Sequence, residues 1–291
     1  MFQFAALRVL AERENAYLLL PSDCKLRRAF NLDNQVLFTE AKQLQKLIVE
    51  NTATSTNFED CCKYIPLFNK KINWKNKYKN ISIINGYFQS YRYFHPAHKK
   101  FVYVAAFFSL PWQIYENSGR GEKGWHINDT FTKFFQSLNS PLLIGIHARH
   151  GIDLTMHQRN QRYGHTVATS EYYKKAMEFF TKNFKNNLLI FLVISDNMSW
   201  AKRNIGGSNK RRIFIKYLNS GYREIDMAIL SKCNHLITST GTFSWWSAYL
   251  LQSRKNNSKI IYFGDWPKKG SLLERIVEKR DYFLHSWIPM K

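Results

Sequence analysis

Short apolar runs alternate with amphipathic stretches from Pro141 to the end of the chain. Five of the runs have the length and composition of β-strands: LLIGIH (142–147), LLIFLVIS (188–195), IFIKY (213–217), HLITS (235–239) and KIIYF (259–263). Strands that alternate with helical stretches are typical of βαβ units, in which the strands run parallel. The pattern therefore predicts an α/β lobe with a parallel sheet over residues 141–291.

Helices are predicted between these strands. Residues 223–233 and 242–252 are two candidates, and EYYKKAMEFFTKNF (171–184) is a third. The third has apolar residues at helical spacing: Tyr173, Ala176, Met177, Phe180 and Phe184. Because such a stripe packs against a sheet, we assign it to the core and not to a cofactor site.

The first 140 residues have a weaker periodicity. MFQFAALRVLAERENAYLLLP (1–21) indicates a helix followed by a strand, whereas LFNKKINWKNKYKN (67–80) is polar and without a clear period. The change of pattern near residue 140 predicts two domains, an N-terminal lobe over 1–140 and a C-terminal lobe over 141–291.

The composition indicates a globular protein with a strongly basic surface. The 291 residues include 43 Lys and Arg against 21 Asp and Glu, which gives a formal net charge of +22. This charge favours anionic partners, but the basic residues form no recognised nucleic-acid module, and we predict no nucleic acid partner. No apolar run reaches the roughly 18 residues of a membrane span, so no span is predicted in this sequence.

Polar residues follow the carboxyl ends of the predicted strands, where parallel α/β sheets bind their ligands. His147 and Arg149 come at the end of the first strand. A guanidinium can bind two phosphate oxygens at once, which makes Arg149 a candidate diphosphate ligand. The alternative is an arginine in an ordinary surface turn after a buried strand.

A hydroxyl-rich segment joins the fourth predicted strand to the helix that follows. It consists of Ser239, Thr240, Gly241, Thr242, Phe243 and Ser244. Hydroxyls and backbone N–H groups at the start of a helix form an anion site; the alternative is an ordinary Ser or Thr N-cap. The location of the segment on the same sheet edge as Arg149 favours the anion site.

Two carboxylates are candidates for binding a base. Asp196 follows the second strand, and Asp226 lies in the first turn of its helix. A carboxylate accepts two hydrogen bonds side by side, which suits the adjacent N1–H and N2–H donors of guanine. The alternatives are a turn residue for Asp196 and compensation of the helix dipole for Asp226.

No metal is expected at this site. The histidines between residues 147 and 165 match no compact set of metal ligands, and the sequence has no Asp-x-Asp triplet to hold a metal against a diphosphate. Positive charge would come from Arg149 instead.

Four segments resemble the α1,2-fucosyltransferase family. MFQFAAL (1–7) is similar to the later part of the family's Gly-Asn-Gln-Met-Phe-Gln-x-Ala segment, and GYFQSYRYF (86–94) to its Gly-Tyr-Phe-Gln-Ser-x-x-Tyr-Phe segment. IGIHARHG (144–151) resembles the His-x-Arg-Arg-Gly-Asp motif. The most specific match is DMAILSKCNHLITSTGTFSWWSAYL (226–250), which resembles the family's closing motif almost throughout.

The resemblance implies an α/β, GT-B-like fold with two Rossmann-like lobes, of which the C-terminal lobe binds the nucleotide. It implies transfer of fucose from GDP-fucose to the 2-hydroxyl of a galactose in a β-galactoside glycan, with inversion and without a metal. It also implies a Golgi-lumenal, type II membrane protein, whose only membrane contact is an N-terminal anchor absent from this sequence.

The resemblance also assigns residues. Arg149 would bind the β-phosphate and stabilise charge on the departing GDP, while His147 and residues 239–244 would line the nucleotide. Asp153 is the candidate catalytic base, with loss of the proton to water as the alternative. Two departures matter, since His150 stands where the family has its second arginine and Ile152 displaces the aspartate by one residue. The alternative function is a catalytically inactive GDP-sugar-binding relative or fragment.

Overall fold

The protein is described by a computed structural model that covers residues 1–30, 32, 36–50, 54–58, 61–66, 81–95, 141–206 and 212–291. The chain divides into two compact units, the first of Met1–Pro111 and Arg275–Leu284, the second of Trp112–Glu274 and His285–Lys291. The predicted domain boundary near residue 140 adjoins the range 96–140, which lies outside the described residues, and it stays a prediction.

The first unit begins with the helix and strand that the sequence predicts. They are α1 (Phe2–Arg13) and β1 (Leu18–Pro21). The elements that follow are β2 (Val36–Thr39), α2 (Ala41–Glu50), β3 (Thr54–Asn57) and β4 (Ser82–Asn85), with 3-10 turns at Lys25–Arg28 and Tyr91–Tyr93. Strand β1 pairs in parallel with β2, and β3 pairs in parallel with β4.

Aromatic side chains form the core of the first unit. The buried ring of Phe2 lies 5.9 Å from that of Phe94 and 6.2 Å from that of Tyr282. Arg92 donates to a carboxylate oxygen of Asp281 over 2.7 Å. The segment 275–284, from the end of the chain, thus completes the core around the predicted N-terminal helix.

The second unit contains a fully parallel sheet of six strands. In chain order they are β5 (Leu142–Ala148), β6 (Leu189–Ser195), β7 (Ile213–Leu218), β8 (His235–Ile237), β9 (Ile260–Phe263) and β10 (Ile288–Met290). Their spatial order is β10-β9-β8-β5-β6-β7. Strand β5 therefore pairs with β6 on one side and with β8 on the other, which brings the ends of all three to one place.

Helices connect these strands. They are α3 (Ile152–Thr155), α4 (Gln158–Tyr163), α5 (Ser170–Asn183), α6 (Met198–Asn204), α7 (Arg223–Lys232), α8 (Thr242–Arg254), α9 (Leu272–Ile276) and α10 (Lys279–Tyr282). Helix α8 buries Trp245, Trp246 and Tyr249, as expected of a helix that is apolar around most of its circumference. The buried helix fixes the position of its own first turn at the sheet edge.

The predicted α/β fold with a parallel C-terminal sheet is confirmed. All five predicted strands and the three predicted helices are present, each with bounds within two residues of the prediction. Of the predicted apolar stripe of α5, Tyr173, Ala176 and Phe180 are buried, whereas Met177 and Phe184 are only partly buried. Tyr172, outside the predicted stripe, is fully buried. Its hydroxyl donates to the carbonyl oxygen of Thr238 over 2.6 Å, and this bond allows a polar atom so deep in the core.

Strand β10 is a sixth strand that the sequence does not predict. It pairs with β9 at the edge of the sheet, with Pro289 opposite Tyr262. A proline inside a run normally argues against a strand, because it has no N–H to donate, but an edge strand tolerates it.

Candidate nucleotide-binding site

The carboxyl ends of β5 and β8 meet at one edge of the sheet and bring two of the predicted segments together. The backbone N–H of Arg149 donates to the hydroxyl of Ser239 over 3.2 Å. Strands β5 and β8 are direct neighbours, so the end of the first motif and the start of the hydroxyl-rich segment lie side by side. This contact confirms that the two segments share an edge.

His147 anchors a buried polar network below this edge. Its Nδ1 lies 2.5 Å from the hydroxyl of Ser244 and 3.1 Å from that of Ser239, and the two hydroxyls lie 3.1 Å apart. Burial, together with the positive charge of Arg149, lowers the pKa of His147 to about 3. The imidazole is therefore neutral at physiological pH and holds the two serines without adding a charge.

Arg149 projects from the edge across the start of α8. Its guanidinium forms an ion pair with the carboxylate of Asp153, one helical turn further along the chain. A Cβ atom on Gly241 would lie only 2.3 Å from Nη1 of Arg149. Gly241 has φ 98°, in the left-handed region that favours glycine. The glycine thus provides both the turn and the space through which the guanidinium passes.

The start of α8 is the predicted anion site. Gly241 is its N-cap, and among the described residues no side chain caps this helix end, so the alternative of an ordinary Ser or Thr N-cap is wrong for α8. The first N–H groups of a helix have no partners within it and attract negative charge. Phe243, in this first turn, packs its ring 4.7 Å from that of His147. Thr242 begins the helix.

Thr240 has a different role from its neighbours. Its hydroxyl donates to the carbonyl oxygen of Thr166 over 3.1 Å, and the side chain is buried. This bond attaches the segment between α4 and α5 to the hydroxyl-rich segment.

Asp196 lies at the end of β6, next to β5. One of its carboxylate oxygens accepts the backbone N–H of His150 over 2.7 Å. The imidazole of His150 stacks on the indole of Trp200, with ring centres 4.0 Å apart and planes 13° apart. The position that the family motif gives to a second arginine is therefore filled by a ring packed against α6.

Asp226 lies beyond β7, in the first turn of α7. Its carboxylate accepts the hydroxyl of Ser220 over 2.7 Å and the N–H of the same residue over 3.3 Å. Burial raises the pKa of Asp226, while these two bonds oppose the rise. Neither carboxylate contacts Arg149 in the bonds described, and the guanine-binding role of both stays a prediction.

Two residues that interact with predicted site residues were not themselves predicted as part of the site. Tyr173 donates its hydroxyl to the carbonyl oxygen of His147 over 3.4 Å and so supports the network from α5. His165 lies in the electric field of both Arg149 and Asp153. Nothing in the local sequence marks His165 for this place, because contacts with distant residues bring it there.

The described residues contain no group of three or more His, Cys, Asp or Glu side chains that could hold a metal ion. Among the same residues, no helix is both long enough and apolar enough to cross a membrane.

The sequence matches a known family over most of its length. The model of the family described as Glycosyl transferase family 11 matches residues 69–291. This range includes Arg149, Asp153 and the hydroxyl-rich segment.

The curated relatives include galactoside alpha-(1,2)-fucosyltransferases. Galactoside alpha-(1,2)-fucosyltransferase 2 of Bos taurus is 30% identical over 145 residues, which cover 50% of this chain and 40% of the relative. The protein of the same name from Rattus norvegicus is 26% identical over 235 residues, which cover 79% of this chain and 61% of the relative. The chain thus spans less than two thirds of either relative.

Among solved structures, POFUT1 in complex with GDP matches with a TM-score of 0.47 and 10% sequence identity, over 90% of this chain and 93% of that chain. At this level of similarity, we transfer no residue role from that protein to this one.

Proposed function

Because the chain belongs to glycosyl transferase family 11, we propose that it is a galactoside 2-alpha-L-fucosyltransferase. It transfers fucose from GDP-fucose to the 2-hydroxyl of a galactose in a β-galactoside glycan, with inversion at the anomeric carbon. The observation that supports this best is the position of Arg149, whose guanidinium lies over the start of α8.

The arrangement around Arg149 suits a leaving diphosphate. As the bond from fucose to the β-phosphate breaks, negative charge grows on the phosphate oxygens, and fixed donors placed there stabilise the transition state. Arg149 offers a planar fork of donors, and the first turn of α8 offers backbone N–H groups. The side chain of Arg149 is 30% exposed, so a ligand can reach it.

The neutral network below keeps this positive charge in place. His147, Ser239 and Ser244 bond to one another, and Ser239 in turn accepts the backbone N–H of Arg149. Asp153 holds the guanidinium from the other side. A donor group that is already oriented loses little freedom when the diphosphate binds, and it therefore contributes more to binding and catalysis.

The test is replacement of Arg149 in an assay of fucose transfer. Arg149→Ala should reduce transfer from GDP-fucose to a β-galactoside by at least about 100-fold, because the charge facing the leaving group is lost. Arg149→Lys should also fall sharply, since an ammonium cannot bind two phosphate oxygens in the same fork geometry. The product linkage is determined by NMR.

The matched control is Arg212→Ala. Arg212 is an exposed arginine of the same unit, next to the amino end of β7, and its side chain donates to a carbonyl oxygen of Lys185 over 3.5 Å. Near-normal transfer in Arg149→Ala would contradict the proposed role. A wild-type chain that binds GDP but transfers no fucose would favour the inactive relative instead.

A further inference from the structure

His165 is held beside the anion site by contacts on both sides of it. Gly164 is the C-cap of helix α4 and has φ 115°. Its carbonyl oxygen accepts the N–H of Lys268 over 2.9 Å. On the other side, the carbonyl oxygen of Thr166 accepts the hydroxyl of Thr240. The N–H of His165 itself donates to the carbonyl oxygen of Asn160 over 3.0 Å. Its backbone is therefore fixed relative to the start of α8.

The same turn is attached to the residue that pairs with Arg149. The side-chain amide of Asn160 donates to the carbonyl oxygen of Asp153 over 2.8 Å. Gly164 is tightly enclosed, since a Cβ atom there would lie 2.1 Å from the hydroxyl oxygen of Ser271. Together these contacts hold the backbone of His165, whose side chain is half-buried, between the start of α8 and the residue that pairs with Arg149.

The electrostatic surroundings of His165 keep it neutral. Burial lowers its pKa, the charge of Arg149 lowers it further, and the charge of Asp153 opposes both. The ring of Tyr163 lies 5.9 Å away. The charged side chains of α4 and of the segment that bonds Gly164, which are Arg159, Arg162, Lys268 and Lys269, are all exposed and are screened by water. A neutral imidazole can accept a proton.

Asp153 is less suited to that task, because its carboxylate is already bonded to the guanidinium of Arg149. We propose that His165 is the catalytic base of the transfer and takes the proton of the acceptor hydroxyl. This inference rests on the proposed function.

The acceptor oxygen forms a bond to the anomeric carbon of fucose while the bond from that carbon to the β-phosphate oxygen breaks. The electron pair of the broken bond leaves with GDP, and the hydroxyl proton moves to the unprotonated ring nitrogen of His165. The imidazolium then loses its proton to water after the product departs.

Donor binding should make His165 a stronger base. The diphosphate brings negative charge to Arg149, which offsets the guanidinium charge that holds the pKa of His165 down. Because coupling between two binding events is reciprocal, protonation of His165 should strengthen GDP binding by the same factor. This consequence can be measured without any transfer reaction.

The first test compares wild type, His165→Gln and His157→Gln, the last being an exposed histidine of the same segment. In wild type, kcat should rise with pH as His165 loses its proton. In His165→Gln, kcat should fall by at least about 100-fold and should no longer rise with pH, because glutamine cannot take a proton. GDP affinity at about pH 7.5 should stay within about 3-fold of wild type, since His165 is then neutral. His157→Gln should behave as wild type.

The second test measures GDP affinity by calorimetry between about pH 7.5 and pH 5.5. The phosphate of GDP titrates in the same range, so the difference between wild type and His165→Gln is the quantity to follow. Wild type should gain affinity relative to the variant as the pH falls.

The outcomes separate the two proposals. Normal kcat in His165→Gln, or an unchanged pH profile, overturns the role of His165 and leaves the proposed function standing. Parallel GDP-affinity curves for wild type and His165→Gln overturn its coupling to the diphosphate. A wild-type chain that binds GDP but does not transfer fucose overturns the proposed function itself.

Discussion

The two ends of one sheet edge differ in charge and in the hydrogen bonds that their polar groups already form. At the ends of β5 and β8, a guanidinium lies over an uncapped helix start, supported by a neutral histidine and two serines. After the ends of β6 and β7, the candidate polar groups are the carboxylates of Asp196 and, in the first turn of α7, of Asp226. Each carboxylate already accepts a hydrogen bond from the chain itself.

This difference matches the two ends of a guanine nucleotide. The diphosphate is an anion and needs donors and positive charge, whereas the guanine edge presents N–H donors and needs acceptors. Neighbouring strands lie about 4.8 Å apart, so β5 and β7 are separated by the width of two strand spacings. One elongated ligand can reach both ends, and variants at each end should therefore affect different parts of that ligand.

The largest effect is expected at the cationic end from Gly241→Ala. The added Cβ would meet Nη1 of Arg149, and because that atom ends a flexible side chain, the guanidinium moves and the fold survives. GDP affinity should fall by about 100-fold, because the bidentate hydrogen bonds from Arg149 to the diphosphate are lost. Charge-assisted hydrogen bonds of this kind contribute about 1.5–3 kcal/mol. Calorimetric titration with GDP measures it.

Gly270→Ala is the matched control for Gly241→Ala. Gly270 also has a positive φ, 79°, but a Cβ atom there would meet nothing within 4 Å. Gly270→Ala should lower the free energy of unfolding through backbone strain alone and should leave GDP affinity unchanged. Equal loss of affinity in the two variants would show that strain, and not the position of Arg149, explains the effect.

The strand ends at this edge were predictable because each strand is an apolar run that stops at a polar residue. Arg149 and residues 239–244 follow two such runs, and parallel pairing brings them together. Strand β10 was missed because its three residues include Pro289, and the sequence does not reveal that the strand lies at an edge.

His165 could not be predicted for a different reason. It lies in a polar segment with no apolar period, and its position depends on Thr240 and Lys268, which are 75 and more residues away in sequence. Contacts of this kind follow from the tertiary fold and leave no local pattern.

A second prediction concerns acid and the neutral network under Arg149. The pKa of His147 is lowered to about 3 in the folded chain, so the unfolded chain takes up the proton first as the pH falls below about 6.5. The contribution of His147 to the free energy of unfolding is thus fully present at neutral pH and is lost as the pH falls. The loss between pH 6.5 and pH 5 should be about 1.5 kcal/mol.

Urea denaturation at several pH values measures this loss as the difference between wild type and His147→Gln. The variant should show a weaker dependence of unfolding free energy on pH, because glutamine does not titrate. His157→Gln should keep the wild-type dependence, since His157 is exposed. The same slope in His147→Gln and wild type would contradict a neutral, buried His147.

The smallest effect is expected at the carboxylate end, where Asp226→Asn tests whether Asp226 binds the guanine base. Asparagine keeps one oxygen to accept the hydroxyl and N–H of Ser220, so the turn should persist, but it cannot accept two hydrogen bonds from a base side by side. Wild type should prefer GDP over inosine diphosphate, which lacks the 2-amino group, by about 10-fold. This preference should fall to about 3-fold or less in the variant.

Asp265→Asn is the control for charge removal, because Asp265 pairs with Lys291 over 3.3 Å and should not affect nucleotide preference. Asp196→Asn distinguishes the two candidate strand ends. If the preference for GDP survives in Asp226→Asn and disappears in Asp196→Asn, the base binds at the end of β6, one strand from Arg149 instead of two. The nucleotide would then bind in a more compact form, and Asp226 would serve only to hold Ser220 at the start of α7.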